Sequence, residues 1–337
     1  MKQNEAMRVA LVGCGVISAN HLSALAETPA VTVVALCDIR RDRAGKRAAE
    51  FCRNAVIYTD YTEMLETEKP DAVHICTPHW LHADMAVAAL IRNIHVFLEK
   101  PACISEEEAA RLLAAERASS ARITVCFQNR KNPAMEKMLE QIRHYGGREA
   151  ITGGRAMVSW CRDAAYYADD WHGKKKTEGG GVLINQAIHT LDLLLYYCGT
   201  PVAVQGSVHN RHLSGVTEVE DAADFRIRFR GGAVGCFSAT TAYVTDAPNF
   251  IEVLVGGHKL VLYGEILLSD GNVVPLPKTG DVCIGKACYG GGHRYMIRDF
   301  YRAVREGAAM PVSLLSAVTT TRTLLAVYRS DEKEIYL

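Results

Sequence analysis

Six short apolar runs separated by amphipathic stretches fill residues 7–127, and no other feature narrows the fold so far. The first run, Met7 to Val12, breaks at once into Gly13-Cys14-Gly15-Val16-Ile17-Ser18. Ile17, His21, Leu22 and Leu25 then recur at helical spacing. Strand, glycine turn and helix in immediate succession is the context a dinucleotide fingerprint needs. Gly13 permits the tight turn, and Gly15 lets the backbone of Val16 and Ile17 approach a pyrophosphate at the helix N-terminus. Ser18 stands where a third glycine is usual and is small enough to pack against the strand.

The second run, Val31 to Cys37, ends in Asp38, 20 residues beyond Ser18. An acid at that distance is placed to hold the ribose hydroxyls of adenosine, and its charge repels the extra phosphate of NADP. NAD is therefore the expected cofactor, with Arg40 and Arg41 available to stack on adenine or meet a phosphate. The alternation continues through strands expected at Ala55–Tyr58, Asp71–Cys76, His95–Leu98 and Arg122–Cys126. Helices are expected at Asp42–Arg53, Tyr61–Glu66, Leu81–Arg92 and Ser105–Ala118, the last with Ser105 as N-cap and Glu108 completing a capping box. Such alternation predicts an α/β Rossmann fold, a doubly wound parallel sheet, over residues 1–127. Ligands of these sheets bind beyond the carboxyl ends of the strands. Two motifs lie there: Thr77-Pro78, with Trp80 and His82 after it, and Glu99-Lys100-Pro101, where proline stops the strand ladder.

After Phe127 the pattern changes. Gln128-Asn129-Arg130-Lys131-Asn132-Pro133 is a polar junction, a helix follows at Ala134–His144, and then strands arrive one after another from Ala150 to Tyr263. Closing helices are expected at His293–Glu306 and Leu314–Ser330. Residues 128–337 thus read as an α+β domain with a large open, mostly antiparallel sheet for substrate binding and oligomerisation, its closing helices able to pack back on the first domain. One stretch interrupts the strands. Glu178-Gly179-Gly180-Gly181 opens a run expected to be helical from there to Cys198, with Asn185 and His189 four apart on one face and Asp192 a turn beyond.

Bulk properties exclude several classes. The net charge is zero, which offers nothing to nucleic acid or an anionic membrane. No apolar run approaches the roughly 20 residues of a membrane span. The polar start Met1–Arg8 gives no signal-peptide pattern. Eleven scattered cysteines without a Cys-x-x-Cys pair exclude zinc-ribbon and thioredoxin motifs, so no metal is expected. Several sit inside apolar runs, and Cys283 and Cys288 read as loop thiols. A reducing cytoplasm is expected.

Taken together, Gly13-x-Gly15, Thr77-Pro78 with His82, Glu99-Lys100-Pro101, Gly179-Gly180-Gly181 leading to His189-x-x-Asp192, and Gly291-Gly292-His293 resemble the glucose–fructose oxidoreductase / inositol dehydrogenase (Gfo/Idh/MocA) family over the whole length. The resemblance implies a nicotinamide-dependent dehydrogenase acting on a sugar, sugar derivative or cyclitol, as a homodimer or homotetramer joined through the open sheet. In that family the lysine matching Lys100 binds the reacting oxygen, and the histidine matching His189 is the acid/base. An aspartate one turn before the histidine commonly completes the set, and Asn185 stands there in this chain. Asparagine can hold a substrate hydroxyl but carries no charge.

The resemblance implies cofactor contacts from Gly13, Gly15, Val16, Ile17, Asp38, Arg40, Thr77, Pro78, His82, Glu99, Lys100 and Gln128. Substrate contacts are implied for Lys100, Arg130, Trp171, His172, Asn185, Gln186, His189 and His293, with Asn129 beside them. Lys174-Lys175-Lys176 reads as a solvated loop, from which one lysine could meet a carboxylated sugar. Chemically, alcohol oxidation needs a cation to steady developing alkoxide charge and a base that titrates near neutral pH, which a lysine and a histidine supply. Two other functions fit the same fold: an NAD-retaining enzyme that cleaves glycosides by C3 oxidation, β-elimination and re-reduction, and a catalytically inactive nucleotide-binding regulator.

Overall fold

The computed structural model describes residues 6–277 and 291–337; Cys283 and Cys288 lie outside the described residues. The chain divides into two compact units, Met1–Gln128 with Val282–Val318 and Asn129–Asp281 with Thr319–Leu337. The stretch around the penultimate helix thus groups with the first 128 residues rather than with the 128–337 half.

The first unit carries strands β1 (Met7–Val12), β2 (Val31–Cys37), β3 (Val56–Tyr58), β4 (Ala72–Ile75), β5 (His95–Leu98) and β6 (Ile123–Val125). They form a six-stranded sheet in the order β3-β2-β1-β4-β5-β6, and every pairing is parallel. Between them run helices α1 (Ser18–Ala26), α2 (Arg41–Phe51), α3 (Tyr61–Glu68), α4 (His82–Leu90) and α5 (Glu106–Ala118). Strands β4 and β6 are buried throughout, as expected of parallel strands covered on both faces. Ser105 caps α5 by accepting the Glu108 N–H at 3.2 Å, and the Glu108 carboxylate accepts the N–H of Ile104 at 2.8 Å, one residue earlier than a capping box would have it. The register brings Val12, Cys37, Ile75, Leu98 and Val125 to one level. The residues that follow each of them therefore share one edge of the sheet.

The second unit holds helix α6 (Pro133–His144), β7 (Ile151–Ser159), helices α7 (Lys175–Glu178) and α8 (Ile188–Cys198), and strands β8 (Pro201–His209), β9 (Ala222–Phe229), β10 (Val234–Thr240), β11 (Phe250–Val255), β12 (His258–Tyr263), β13 (Ile266–Ser269) and β14 (Asn272–Val273). After α9 (Gly292–Glu306) and α10 (Leu314–Ser330) comes β15 (Ile335–Tyr336). The nine strands run in the order β14-β13-β12-β11-β7-β10-β9-β8-β15. Burial alternates along β9 and β10, so one face is covered and the other open. The sheet is not wholly antiparallel, because β7 enters between β11 and β10 and pairs parallel with β10. The long excursion through α7 and α8 supplies the crossover that a parallel neighbour requires. Among the described residues no helix is long and apolar enough to cross a membrane.

One expectation fails locally. The helix anticipated from the glycines onward begins only at Ile188, and residues 182–186 form turns. Glu220 anchors this stretch. Its buried carboxylate accepts the N–H of Gly181 at 2.8 Å and of Leu183 at 3.0 Å, together with the Tyr328 hydroxyl at 2.9 Å. Burial raises the pKa of this carboxyl. Its backbone carbonyl takes the Val182 N–H at 3.0 Å. The triple glycine serves this contact: a Cβ on Gly181 would strike the Glu220 carbonyl oxygen, and one on Gly180 would strike the Tyr328 hydroxyl. Gly181→Ala is expected to cost about 3 kcal/mol by overpacking, read as a lower urea midpoint with unchanged slope.

Candidate active site

On the common edge of the first sheet, β1 runs into Gly13 at φ +88°, where an added Cβ would lie 2.5 Å from the Cys76 carbonyl carbon. Only glycine fits that turn. By contrast, a Cβ on Gly15 would meet nothing within 4 Å, so its backbone faces open space. Helix α1 starts with no side-chain cap and no acid in its first turn, leaving its positive end for an anion. Arg47 of α2 holds the turn from behind, donating to the Gly15 carbonyl at 2.9 Å and to Ser18 Oγ at 3.1 Å. Asp38, at the end of β2, accepts the N–H of Cys14 at 2.8 Å and of Arg40 at 2.8 Å. Its carboxylate is fixed beside the glycine turn. Val16 and Ile39, next to these groups, are 78% and 89% exposed. Exposed backbone, an uncapped helix end, a fixed carboxylate and bare apolar side chains fit a dinucleotide.

Thr77 and Pro78 are half-buried on the same edge. His82 is buried, and its ring nitrogens face the carbonyls of Thr77 at 2.8 Å and Pro101 at 2.7 Å. Two acceptors favour the charged ring, but burial dominates and lowers its pKa. Both nitrogens are taken by the protein, so His82 joins the β4 and β5 edges instead of reaching a ligand. Lys100 is half-buried directly after four buried residues.

Glu99 does not face solvent either. Tyr301 Oη lies 2.8 Å from His74 Nε2, His74 Nδ1 lies 2.8 Å from His21 Nδ1, and His21 Nε2 lies 2.9 Å from Glu99 Oε1. One directional assignment satisfies the whole chain: Tyr301 donates to His74, His74 to His21, and His21 to an ionised Glu99, with both rings neutral. The pKa directions agree. Burial lowers His21 and holds His74 well below its ordinary value. Burial opposes the Glu99 charge, but the hydrogen bond from His21 and the neighbouring His293 ring outweigh it and hold the carboxyl well below its ordinary range. The Lys100 N–H closes on Glu99 Oε2 at 3.2 Å. His293, expected at the substrate, is buried with Nε2 3.7 Å from Glu99. Possible ligand atoms of His21, Glu99, Cys126 and His293 lie within 4.8 Å of one another. A metal is disfavoured there, because His21 and Glu99 already bond to each other and burial raises the Cys126 thiol well above its usual range.

This network gives the fold a pH dependence with a definite sign. The rings stay neutral in the folded state while the unfolded chain takes up protons below about pH 6.5. Their contribution is complete above that pH and is lost as pH falls below it. Glu99, also lowered, adds a further loss below about pH 4.5. His74→Phe is expected to flatten the fall in urea-derived stability between pH 6.5 and 5 by up to about 1.4 kcal/mol per pH unit.

In the second unit, Asn185 and His189 are the two half-buried side chains in a stretch from 180 to 195 that is otherwise buried. They do not share a helix, since Asn185 lies in the turn before α8. Asp192 does not take up an imidazole. It receives Arg130 in a bidentate pair, Nε at 2.7 Å and Nη2 at 2.6 Å, and the Thr320 hydroxyl at 3.0 Å. Arg130 is thus buried in an ion pair and stacked over Tyr196, 4.4 Å from the ring centroid. Gln186 donates to Tyr166 Oη at 3.3 Å, while its Oε1 is buried with no hydrogen-bond partner among the described residues. Asn129 Oδ1 is in the same condition. Trp171 packs on His172 with ring centroids 3.7 Å apart, and His172 Nδ1 is held by Asp169 at 2.6 Å. The three lysines at 174–176 are exposed, and Lys174 Nζ donates to the Asp170 carbonyl at 2.8 Å. Gln128 is buried in the first unit.

Sequence reasoning missed Arg47, His74, Tyr166 and Glu178. Glu178 had a signal, since an acid immediately before three glycines cannot be solvated if those glycines are packed. Tyr166 had none.

Residues 7–127 match the model of an oxidoreductase family with an NAD-binding Rossmann fold, Gfo/Idh/MocA, and residues 150–264 match a C-terminal domain of the same family. The D-glucoside 3-dehydrogenase of Escherichia coli (strain K12) is 28% identical over 284 residues, 79% of this chain and 80% of the relative. The 4-carboxy-2-hydroxymuconate-6-semialdehyde dehydrogenase of Sphingobium sp. (strain NBRC 103272 / SYK-6) is 25% identical over 324 residues, 94% of this chain and 96% of the relative. Among solved structures, the WlbA dehydrogenase of Bordetella pertussis in complex with NADH and UDP-GlcNAcA superposes with a TM-score of 0.85 at 27% identity, covering 99% of this chain and 98% of that one.

Proposed function

The chain belongs to the Gfo/Idh/MocA family of NAD-binding oxidoreductases, and from that premise we propose that it is an NAD-dependent dehydrogenase acting on a secondary hydroxyl of a sugar, sugar derivative or cyclitol. One observation carries the choice of substrate. The surface reached by Asn185 and His189 adjoins Gln186, whose buried carbonyl oxygen has no hydrogen-bond partner among the described residues. A polyhydroxylated ligand offers the hydroxyl donors such acceptors need. Relatives named for a glucoside and solved with a nucleotide sugar support the same class.

Bound at the glycine turn, NAD would supply the hydride acceptor for the carbinol carbon. Lys100 is assigned to the reacting oxygen, where its ammonium steadies developing alkoxide charge. His189 is assigned to take the hydroxyl proton, and Asn185 to hold a neighbouring hydroxyl. Gly13, Gly15 and the start of α1 are assigned to the pyrophosphate, and Asp38 to the adenosine ribose. The open face of the large sheet, with Met157, Val234 and Leu254 each 40% exposed or more, supports association into a dimer or tetramer.

A carbohydrate and cyclitol panel assayed for NADH formation with NAD and with NADP tests the reading. At least one polyol is expected to be oxidised, with NADP used at least tenfold less well because of the Asp38 charge. Turnover confined to a carboxylated semialdehyde, the class named for the Sphingobium relative, would overturn the substrate assignment. Aglycone release without net NADH would overturn it in favour of NAD-retaining cleavage.

A further inference from the structure

Glu178 is fully buried, and each of its carboxylate oxygens meets a donor. Oε1 lies 2.5 Å from Nδ2 of Asn185, and Oε2 lies 2.5 Å from the backbone nitrogen of Gly173. Tyr166 Oη sits 3.3 Å from the same Asn185 nitrogen. Asn185 is one of the two side chains that surface from the buried 180–195 stretch, and Gly173 closes the loop that carries Trp171 and His172. A carboxylate accepts and does not donate. It therefore dictates which end of the Asn185 amide turns inward.

We propose that Glu178 is the positioning residue of this site. Its carboxylate holds the Asn185 side-chain nitrogen inward, so that the Asn185 carbonyl oxygen is the group offered to a substrate hydroxyl one turn before His189. The same carboxylate fixes the backbone behind Trp171 and His172. The substrate part of this statement rests on the functional reading above; the orientation of the amide does not.

The consequence is a donor–acceptor parity. An amide at position 178 has one accepting oxygen and cannot serve both Gly173 and Asn185. If that oxygen stays on Gly173, its NH₂ faces the Asn185 NH₂, and Asn185 must flip and present a donor where an acceptor is needed. Glu178→Gln is accordingly expected to lower kcat tenfold to a hundredfold with a smaller change in KM. Asn185→Asp places two carboxylates within hydrogen-bond distance, so they must share a proton, and activity should recover only as pH falls. The double variant Glu178→Gln/Asn185→Asp restores every bond with the roles exchanged. It is expected to return kcat to within about threefold of the parent, with the parent pH profile.

A Glu178→Gln enzyme with unchanged kcat, KM and pH profile would overturn the proposal, as would a double variant no better than the worse single one. A readout independent of turnover uses the unaltered protein: by NMR the Asn185 side-chain amide protons should exchange at least tenfold more slowly than those of exposed Asn54. Equal exchange would overturn the positioning role even if the variants fail to fold. A protected amide in a protein that oxidises no carbohydrate would uphold the Glu178–Asn185 pair and sink the functional reading instead.

Discussion

Lys100→Ala is expected to lower kcat by 10²–10³-fold, the usual loss when a group aimed at a developing oxyanion is removed, while the Kd for NAD changes by less than about threefold. Retention of NAD follows from where the first unit spends its bonds. The glycine turn is held by Arg47 and by Asp38, and neither contact involves Lys100. Four buried residues deliver Lys100 to the sheet edge, and the last of them, the ionised Glu99, accepts its backbone N–H. His189→Ala should cost 10²–10⁴-fold in kcat, the range for loss of a general base. The two losses should not add in the double variant, because both residues are assigned to one proton and one oxygen. Single-turnover assays with the best polyol, alongside fluorescence titration of NADH, separate chemistry from binding. Near-parental turnover in either single variant would remove that residue from the reaction.

Backbone organisation was largely legible because it is local. The period of the apolar runs and the glycine turn gave the strand order's ingredients, and the strand-end positions of Asp38, Thr77 and Lys100 followed from them. Contacts between sequence-distant polar groups were not legible. His21 lies on a helix and His74 on a strand with no motif linking them, yet with Tyr301 and Glu99 they form one hydrogen-bonded chain spanning residues 21 to 301. Glu220 likewise bears no motif, but it anchors the turns before α8, where Asn185 lies. Glu99, Glu178, Glu220 and Asp192 have no partner nearby in sequence, and all four are buried. Desolvation makes their pairing obligatory, and that requirement acts only through space.

Asp192 illustrates how large such an unread contact can be. Asp192→Ala is expected to destabilise the protein by about 3–5 kcal/mol, because it leaves the Arg130 guanidinium buried without its counter-ion. Burial works against the charge on Arg130, and the Asp192 carboxylate outweighs it, so the guanidinium's pKa is raised, not lowered. Both oxygens of Asp192 are engaged, one by Thr320 as well as Arg130, and their bonds go to these two residues, not to His189 three residues earlier. The pair thus fixes the start of α8 to the polar junction at Asn129–Arg130 through packing, with no charge relayed to the imidazole. Arg130→Met with Asp192→Leu removes both charges and keeps volume, so the double variant should recover most of the loss, since a buried ion pair exchanged for apolar groups is often neutral. Urea midpoints for the two single variants and the double close the cycle. A single Asp192→Ala variant within 1 kcal/mol of the parent would mean that water replaces the carboxylate and that Arg130 is not confined. In that case its guanidinium is free to reach a substrate after all, and a raised KM in Arg130→Met with unchanged stability would say so.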